Sequence, residues 1–189
     1  MRIKWFSLIR ITGLLLVLLY HFFQTIFPGG FFGVDVFFTF SGFLITALLI
    51  EEFSKNHEID LVGFFRRRFY RIVPPVVLMV LVTMPFTFLV RQDYVAGIGG
   101  QIAGVLGFMT NFYELLTGGS YESQFIPHLF VHNWSLAVEV HYYILWGLAV
   151  CFLSKQAKSN GQLKGMVFLL SAAAFLISFF SMFIGSFLV

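Results

Sequence analysis

The chain has 189 residues, of which 59% are hydrophobic and 11% are charged, and its formal net charge is +3. A mean hydropathy of +0.89 excludes an ordinary soluble domain and predicts an integral membrane protein. The small charge argues against nucleic acid as a partner, and the single cysteine, Cys151, excludes a disulfide framework and a thiolate zinc site.

The first two predicted helices are joined by a turn at Pro28-Gly29-Gly30. We expect spans at about residues 7–27 and about residues 32–50, with the basic N-terminal end on the cytoplasmic side. A charged side chain near the bilayer centre costs about 2.5–3.5 kcal/mol, so such groups usually face protein or a water-filled cavity. Polar side chains within these apolar helices therefore mark a candidate site: Arg10, His21, Asp35 and Ser41.

His21 and Asp35 fall near the same, outer ends of the two helices, so a helical hairpin can bring them together. A carboxylate beside a histidine fixes its tautomer and raises its basicity, which suits acid–base chemistry. The same pair can equally be a buried polar contact that only fixes helix packing. Arg10 lies on nearly the same helix face as His21, about 16 Å away along the axis. The residue types alone leave both interpretations open.

An amphipathic helix is expected next, over about residues 60–72, and its basic residues predict a cytoplasmic location. One interpretation is a helix that lies on anionic lipid, the usual explanation for such a pattern. The other is that its guanidinium groups hold a phosphorylated cofactor, because arginine binds phosphate in a bidentate fashion. The arginines concerned are Arg66, Arg67, Arg68 and Arg71.

Further along, Pro74-Pro75 is expected to start a third span of about residues 73–90. The glycine-rich region Tyr94–Leu116 either spans, lies in the interface or re-enters. Glu139 lies inside the next span, about residues 133–153, and a last span covers about residues 165–189. The sequence thus predicts an all-α, polytopic helical membrane protein with about five or six transmembrane segments.

Two histidines precede the Glu139 span at a spacing that invites comparison with a metal site. His128 and His132 lack the intervening glutamate of an HExxH motif. No metal is therefore expected.

Four blocks of the sequence form an ordered set: the Arg10–His21 helix, GVDVFFTFSGFLIT (33–46), FFRRRFYRIVPP (64–75) and NWSLAVEVHYYILW (133–146). They resemble blocks of the acyltransferase family 3 membrane proteins. They occur in the family's order, which makes the match more specific than any single block, and the match covers nearly the whole chain. The N-terminal sequence MRIKWFSLIRITGLLLVLLYHFF (1–23) further resembles the branch of the family that O-acetylates peptidoglycan.

The resemblance implies a multi-pass enzyme of the cell membrane. Such an enzyme moves an acetyl group from cytosolic acetyl-CoA to a hydroxyl of an extracytoplasmic glycan, with peptidoglycan favoured. Its partners are then the acyl-CoA donor, the glycan acceptor and the lipid bilayer. By this similarity the catalytic positions are His21, Asp35 and Glu139. The positions implied for donor binding are Arg10, Arg67, Arg68 and Arg71.

Residues 1–189 are expected to form a single membrane domain that corresponds to the N-terminal half of the family's module. Family members usually have more membrane helices, and the peptidoglycan branch often adds an extracytoplasmic esterase-type (SGNH) domain, whose nucleophile block is missing here. A C-terminal half or an esterase-type domain is therefore an expected partner. The alternatives are an inactive remnant or partner subunit, and a small transporter, which the lack of an inverted repeat disfavours.

Overall fold

The computed structural model describes residues 4–89, 95–117 and 128–188, and the side chains of these except residues 4–7, 10, 88 and 186–188. Within these ranges the chain forms α-helices and short 3-10 helices, without a strand. The all-α prediction is therefore confirmed. The α-helices are α1 (Lys4–Phe22), α2 (Gly33–Asn56), α3 (Leu61–Thr83), α4 (Ile98–Leu106), α5 (Thr110–Thr117), α6 (Trp134–Gln156) and α7 (Asn160–Leu188).

Four helical stretches of the described chain are long and apolar enough to cross a membrane, each having 26 to 29 residues. A shorter apolar helix, Ile11–Phe22, belongs to α1. Together they are the helices of a multi-pass membrane protein, in agreement with the composition. The four long stretches are Pro28–Asn56, Leu61–Thr87, Val131–Gln156 and Asn160–Gly185.

The first span ends earlier than predicted, at Phe22 rather than Phe27. The backbone N–H groups of Ile26 and Phe27 both donate to the Phe23 carbonyl, at 3.0 and 2.9 Å, which turns the chain. Pro28 disfavours a helical conformation at Phe27 before it. The 3-10 helix Pro28–Phe32 then leads directly into α2. The result is a helical hairpin.

Glycines let the two arms of this hairpin approach closely. A Cβ atom on Gly33 would lie 2.5 Å from the carbonyl oxygen of Gly13 in α1, and one on Gly30 would lie 2.4 Å from that of Leu16. Both distances are too short for any side chain. Small residues at such positions allow helices in a membrane to pack backbone against backbone.

Replacing Gly33 with alanine is expected to lower the free energy of unfolding by about 1–3 kcal/mol, because the new methyl group meets backbone that cannot rotate away. Gly165→Ala in α7 is the matched control, since a Cβ there meets nothing within 4 Å. The control is expected to be neutral or stabilising. Thermal unfolding in detergent, followed by circular dichroism, measures both. Equal shifts in the two variants would contradict the close approach.

The amphipathic segment and the third span form one continuous helix, α3, so the predicted boundary at Pro74-Pro75 is wrong. The two prolines lack N–H groups, which leaves the carbonyls of Tyr70 and Arg71 without their usual intrahelical donors. The helix nevertheless continues, because in an apolar environment every other backbone group must be satisfied internally. Its apolar half also packs tightly: Val76 and Val80 form a buried cluster with Val105 and Phe130.

The ambiguous region Tyr94–Leu116 is not one helix. Its described residues form α4 and α5, of nine and eight residues. Nine helical residues extend only about 14 Å, against a hydrocarbon core of about 30 Å. The break falls at Phe108, whose φ of 53° is left-handed. Neither helix is therefore long enough to cross by itself, and residues 118–127, which follow them, lie outside the described part of the chain.

The chain divides into two compact units, and α2 and α6 contribute segments to both. The first comprises Met1–Leu44 and Val62–Ile144, and the second Ile45–Leu61 and Leu145–Val189. In the second unit the indole N–H of Trp146 donates to Thr46 Oγ1 at 2.8 Å. Every residue predicted to belong to the site falls in the first unit.

Candidate active site

The first unit contains a cavity of about 790 Å³. Its walls come from the last turns of α1, the 3-10 turn that follows, the first turn of α2 and the start of α6. Both apolar and polar groups line it, including two imidazoles and a carboxylate. The lining residues are Val17, Leu18, Tyr20, His21, Gln24, Pro28, Phe31, Val34, Asp35, His132, Trp134 and Ser135.

His21 lies in the last turn of α1, and its side chain is exposed at the surface of the protein. Its Nδ1 atom is 2.8 Å from the carbonyl oxygen of Val17. Because a carbonyl only accepts hydrogen bonds, Nδ1 must carry the proton. In the neutral ring, Nε2 then bears the lone pair. This is the tautomer that a base or a nucleophile acting through Nε2 requires.

Asp35 lines the same cavity from the first turn of α2. The hairpin thus brings His21 and Asp35 to one place, as the sequence predicts. The atom that holds Nδ1 of His21 is the Val17 carbonyl oxygen, however, and not the Asp35 carboxylate. A carboxylate at a helix N-terminus is also stabilised by the helix dipole. An orienting role for Asp35 stays a prediction.

His132 is a cavity residue that the sequence analysis considered only as a metal ligand. It lies in the 3-10 turn Val131–Asn133, just before α6. Its ring meets that of His21 edge-on, with 4.8 Å between the centroids and 71° between the planes. No spacing rule predicts this neighbour, because the two histidines come from distant parts of the chain.

Glu139 forms the centre of a second polar group, on α6. Its Oε1 atom accepts hydrogen bonds from the hydroxyls of Ser41 and Tyr143. Ser41 comes from α2, so the carboxylate ties α2 to α6 within the first unit. Tyr143 is buried, with 8% of its surface exposed. The Glu139 carboxylate therefore has two defined donors in a largely apolar environment.

Arg68 lies beside this second group. Its guanidinium carbon is 5.7 Å from the centre of the Tyr143 ring and 5.6 Å from that of the Phe64 ring. Its Nε atom is buried and finds no acceptor among the residues that the structure describes. Arg67 and Arg71 are exposed. The backbone of Arg10 belongs to α1, but its side chain lies outside the described part.

Comparison with known proteins identifies the family. A family model described as an acyltransferase domain matches residues 3–189. The chain belongs to this acyltransferase family. The match confirms the resemblance seen in the four sequence blocks.

Two curated acyltransferase relatives are similar over most of the chain. The O-acetyltransferase OatA of Staphylococcus aureus strain NCTC 8325 is 32% identical over 150 residues, which cover 79% of this chain and 25% of that protein. The peptidoglycan O-acetyltransferase OatA of Listeria monocytogenes strain EGD-e is 30% identical over 152 residues, which cover 80% and 24%. The chain therefore spans about a quarter of the length of these relatives. No solved structure matches it.

In this acyltransferase chain the polar groups follow one face of α6. Ser135 lines the cavity, Glu139 is one turn further along, and Tyr143 is one turn beyond that. The three positions cover about 12 Å of helix, from the imidazoles at one end to Arg68 at the other. The imidazoles can transfer protons or attack a carbonyl, and the guanidinium can bind an anionic group.

Proposed function

We propose that this chain forms the reacting part of a membrane O-acyltransferase. It would move an acetyl group from cytosolic acetyl-CoA to a hydroxyl of an extracytoplasmic glycan. The observation that carries the proposal is the cavity of a chain of the acyltransferase family, which is lined by His21 with Nδ1 held at the Val17 carbonyl oxygen.

His21 is the proposed reacting residue. Acyl transfer to a hydroxyl needs a group that removes the hydroxyl proton or carries the acyl group. The bond from Nδ1 to Val17 fixes the ring so that Nε2 is the reactive atom. Asp35, on the facing wall, is proposed to stabilise the positive charge that the imidazole gains. Glu139 is proposed to keep α2 and α6 in register below the cavity.

The arginines of α3 are proposed to bind the donor. Acetyl-CoA is rich in phosphate, and guanidinium groups bind phosphate through charge-assisted hydrogen bonds. The buried Nε of Arg68 has an N–H to give, since it meets no acceptor in the described ranges. Arg67 and Arg71 are exposed on the same helix. Arg10, on α1, is the remaining candidate for this role.

The proposed acceptor is peptidoglycan. The support is the name of the Listeria relative, a peptidoglycan O-acetyltransferase, at 30% identity. The cavity chemistry fits a sugar hydroxyl, because aromatic side chains such as Tyr20 and Trp134 offer faces for a ring and Gln24 and Ser135 offer hydrogen bonds. A glycan acceptor and an acyl-CoA donor together imply the cell membrane as the location.

The proposal is tested in membranes from cells that lack their own O-acetylating enzyme and express the 189-residue chain. Radiolabelled acetyl-CoA is added, and the label that mild alkali releases from purified wall glycan is counted. We expect label above that of membranes without the chain, and competition by unlabelled acetyl-CoA but not by free acetate. No label, with the chain confirmed in the membrane, would contradict the proposal and favour the remnant or partner-subunit interpretation.

A further inference from the structure

We propose that His132 is a second reacting residue of the cavity, which takes the proton of the acceptor hydroxyl while His21 carries the acyl group. This inference rests on the proposed function. It assigns a role to a residue outside the set implied by the family resemblance. The geometry that carries it is the edge-on pair of imidazoles, with 4.8 Å between ring centroids, in the wall of one cavity.

The position of His132 is held by the backbone around it. Phe130 and Val131, which precede it, are 2% and 3% exposed. The N–H of Phe130 donates to Gln101 Oε1 at 3.3 Å, and the N–H of Asn133 donates to the Phe130 carbonyl at 3.0 Å. The His132 side chain itself is exposed. A buried, hydrogen-bonded turn therefore presents one imidazole to the cavity.

A side-chain contact between His128 and Glu114 adds a further anchor four residues earlier in the chain. Nδ1 of His128 lies 2.8 Å from Oε2 of Glu114, and these side chains are only 17% and 7% exposed. Through this pair α5 holds the start of the segment that leads to His132. The turn is thus fixed from both α4 and α5.

The chemistry requires a second base. In the first step Nε2 of His21 attacks the donor thioester, the bond from carbon to sulfur breaks, and the electron pair leaves with the thiolate. In the second step the acceptor oxygen attacks the acyl carbon, the bond from carbon to Nε2 breaks, and its electron pair returns to Nε2.

The proton of the acceptor hydroxyl must leave in that second step. While the acyl group is still on Nε2, His21 has no nitrogen that can accept this proton, since Nδ1 already bears a proton directed at Val17. His132 takes it and later releases it to the thiolate. Thioester and alcohol thereby become ester and thiol.

The experiment compares two acceptors in the full chain. A glycan hydroxyl needs a base, whereas hydroxylamine is a strong nucleophile that does not. In His132→Gln we expect transfer to glycan to fall by about 10²–10⁴-fold and transfer from acetyl-CoA to hydroxylamine to stay within a factor of about two. His132→Asn is made in parallel, and only variants that elute as the wild type does from size-exclusion chromatography are compared.

Each other outcome overturns the inference in a different way. An equal loss with both acceptors would mean that His132 only positions His21. Undiminished transfer to glycan would mean that His132 has no part in the reaction. A wild-type chain that acetylates neither acceptor would contradict the proposed function itself, and that result is distinct from the other two.

Discussion

Replacing His21 with asparagine is expected to abolish acyl transfer and leave the fold intact. The amide N–H₂ of asparagine can occupy the position of Nδ1 and still donate to the Val17 carbonyl, which is 2.8 Å away in the native chain. It has no counterpart of Nε2. Loss of a general base alone typically costs about 10²–10⁴-fold in rate, and loss of the group that carries the acyl chain costs more. Release of labelled acetate from the glycan measures the effect.

The matched control is His57→Asn, which removes a histidine that does not belong to the cavity lining. His57 is exposed and has a left-handed φ of 58°, a conformation that asparagine tolerates. This control is expected to transfer acetyl groups at the wild-type rate. Full activity in His21→Asn, with equal amounts of both chains in the membrane, would remove His21 from the mechanism.

Glu139→Ala is expected to lower the free energy of unfolding by about 2–4 kcal/mol. The change removes the carboxylate acceptor of two hydroxyl groups, those of Ser41 and Tyr143. A buried donor without an acceptor costs about 1–3 kcal/mol, and Ser41 contributes the smaller share because it is only half-buried. Unfolding of the purified chain, titrated with denaturing detergent, measures the loss.

Glu139→Gln separates stability from catalysis at this position. The amide oxygen can still accept from both hydroxyls, so the unfolding free energy is expected to stay near that of the wild type. If the charge itself takes part in acyl transfer, the glutamine variant folds and is inactive. Equal destabilisation by alanine and glutamine would show that the two hydroxyls do not depend on an acceptor at residue 139.

The helical hairpin and its polar pair were predictable from local features. Pro28 and the glycines after it mark a turn, and apolar flanks with one histidine and one aspartate mark the ends that meet. These signals depend on neighbouring residues only. The fold class likewise follows from composition, since so apolar a chain has few alternatives to membrane helices.

Features that depend on distant contacts were not predictable. His132 becomes a cavity residue only because α6 returns to the end of α1, and nothing in the residues around it indicates that neighbour. The continuity of α3 through Pro74-Pro75 also escaped prediction, because the rule that proline starts or ends a helix weighs less where no water can satisfy a broken turn. The glycines of Tyr94–Leu116 suit several structures equally.

The walls of the cavity come from sequence segments that are synthesised at different times. The α1–α2 hairpin closes through near neighbours, Gly13 and Gly33, so it loses little chain entropy and can form early. The wall made by His132, Trp134 and Ser135 arrives only after α3, α4 and α5 have been made. Reactivity is therefore tied to the completion of assembly: a nascent chain that stalls before α6 carries His21 and Asp35 without the residues that enclose them.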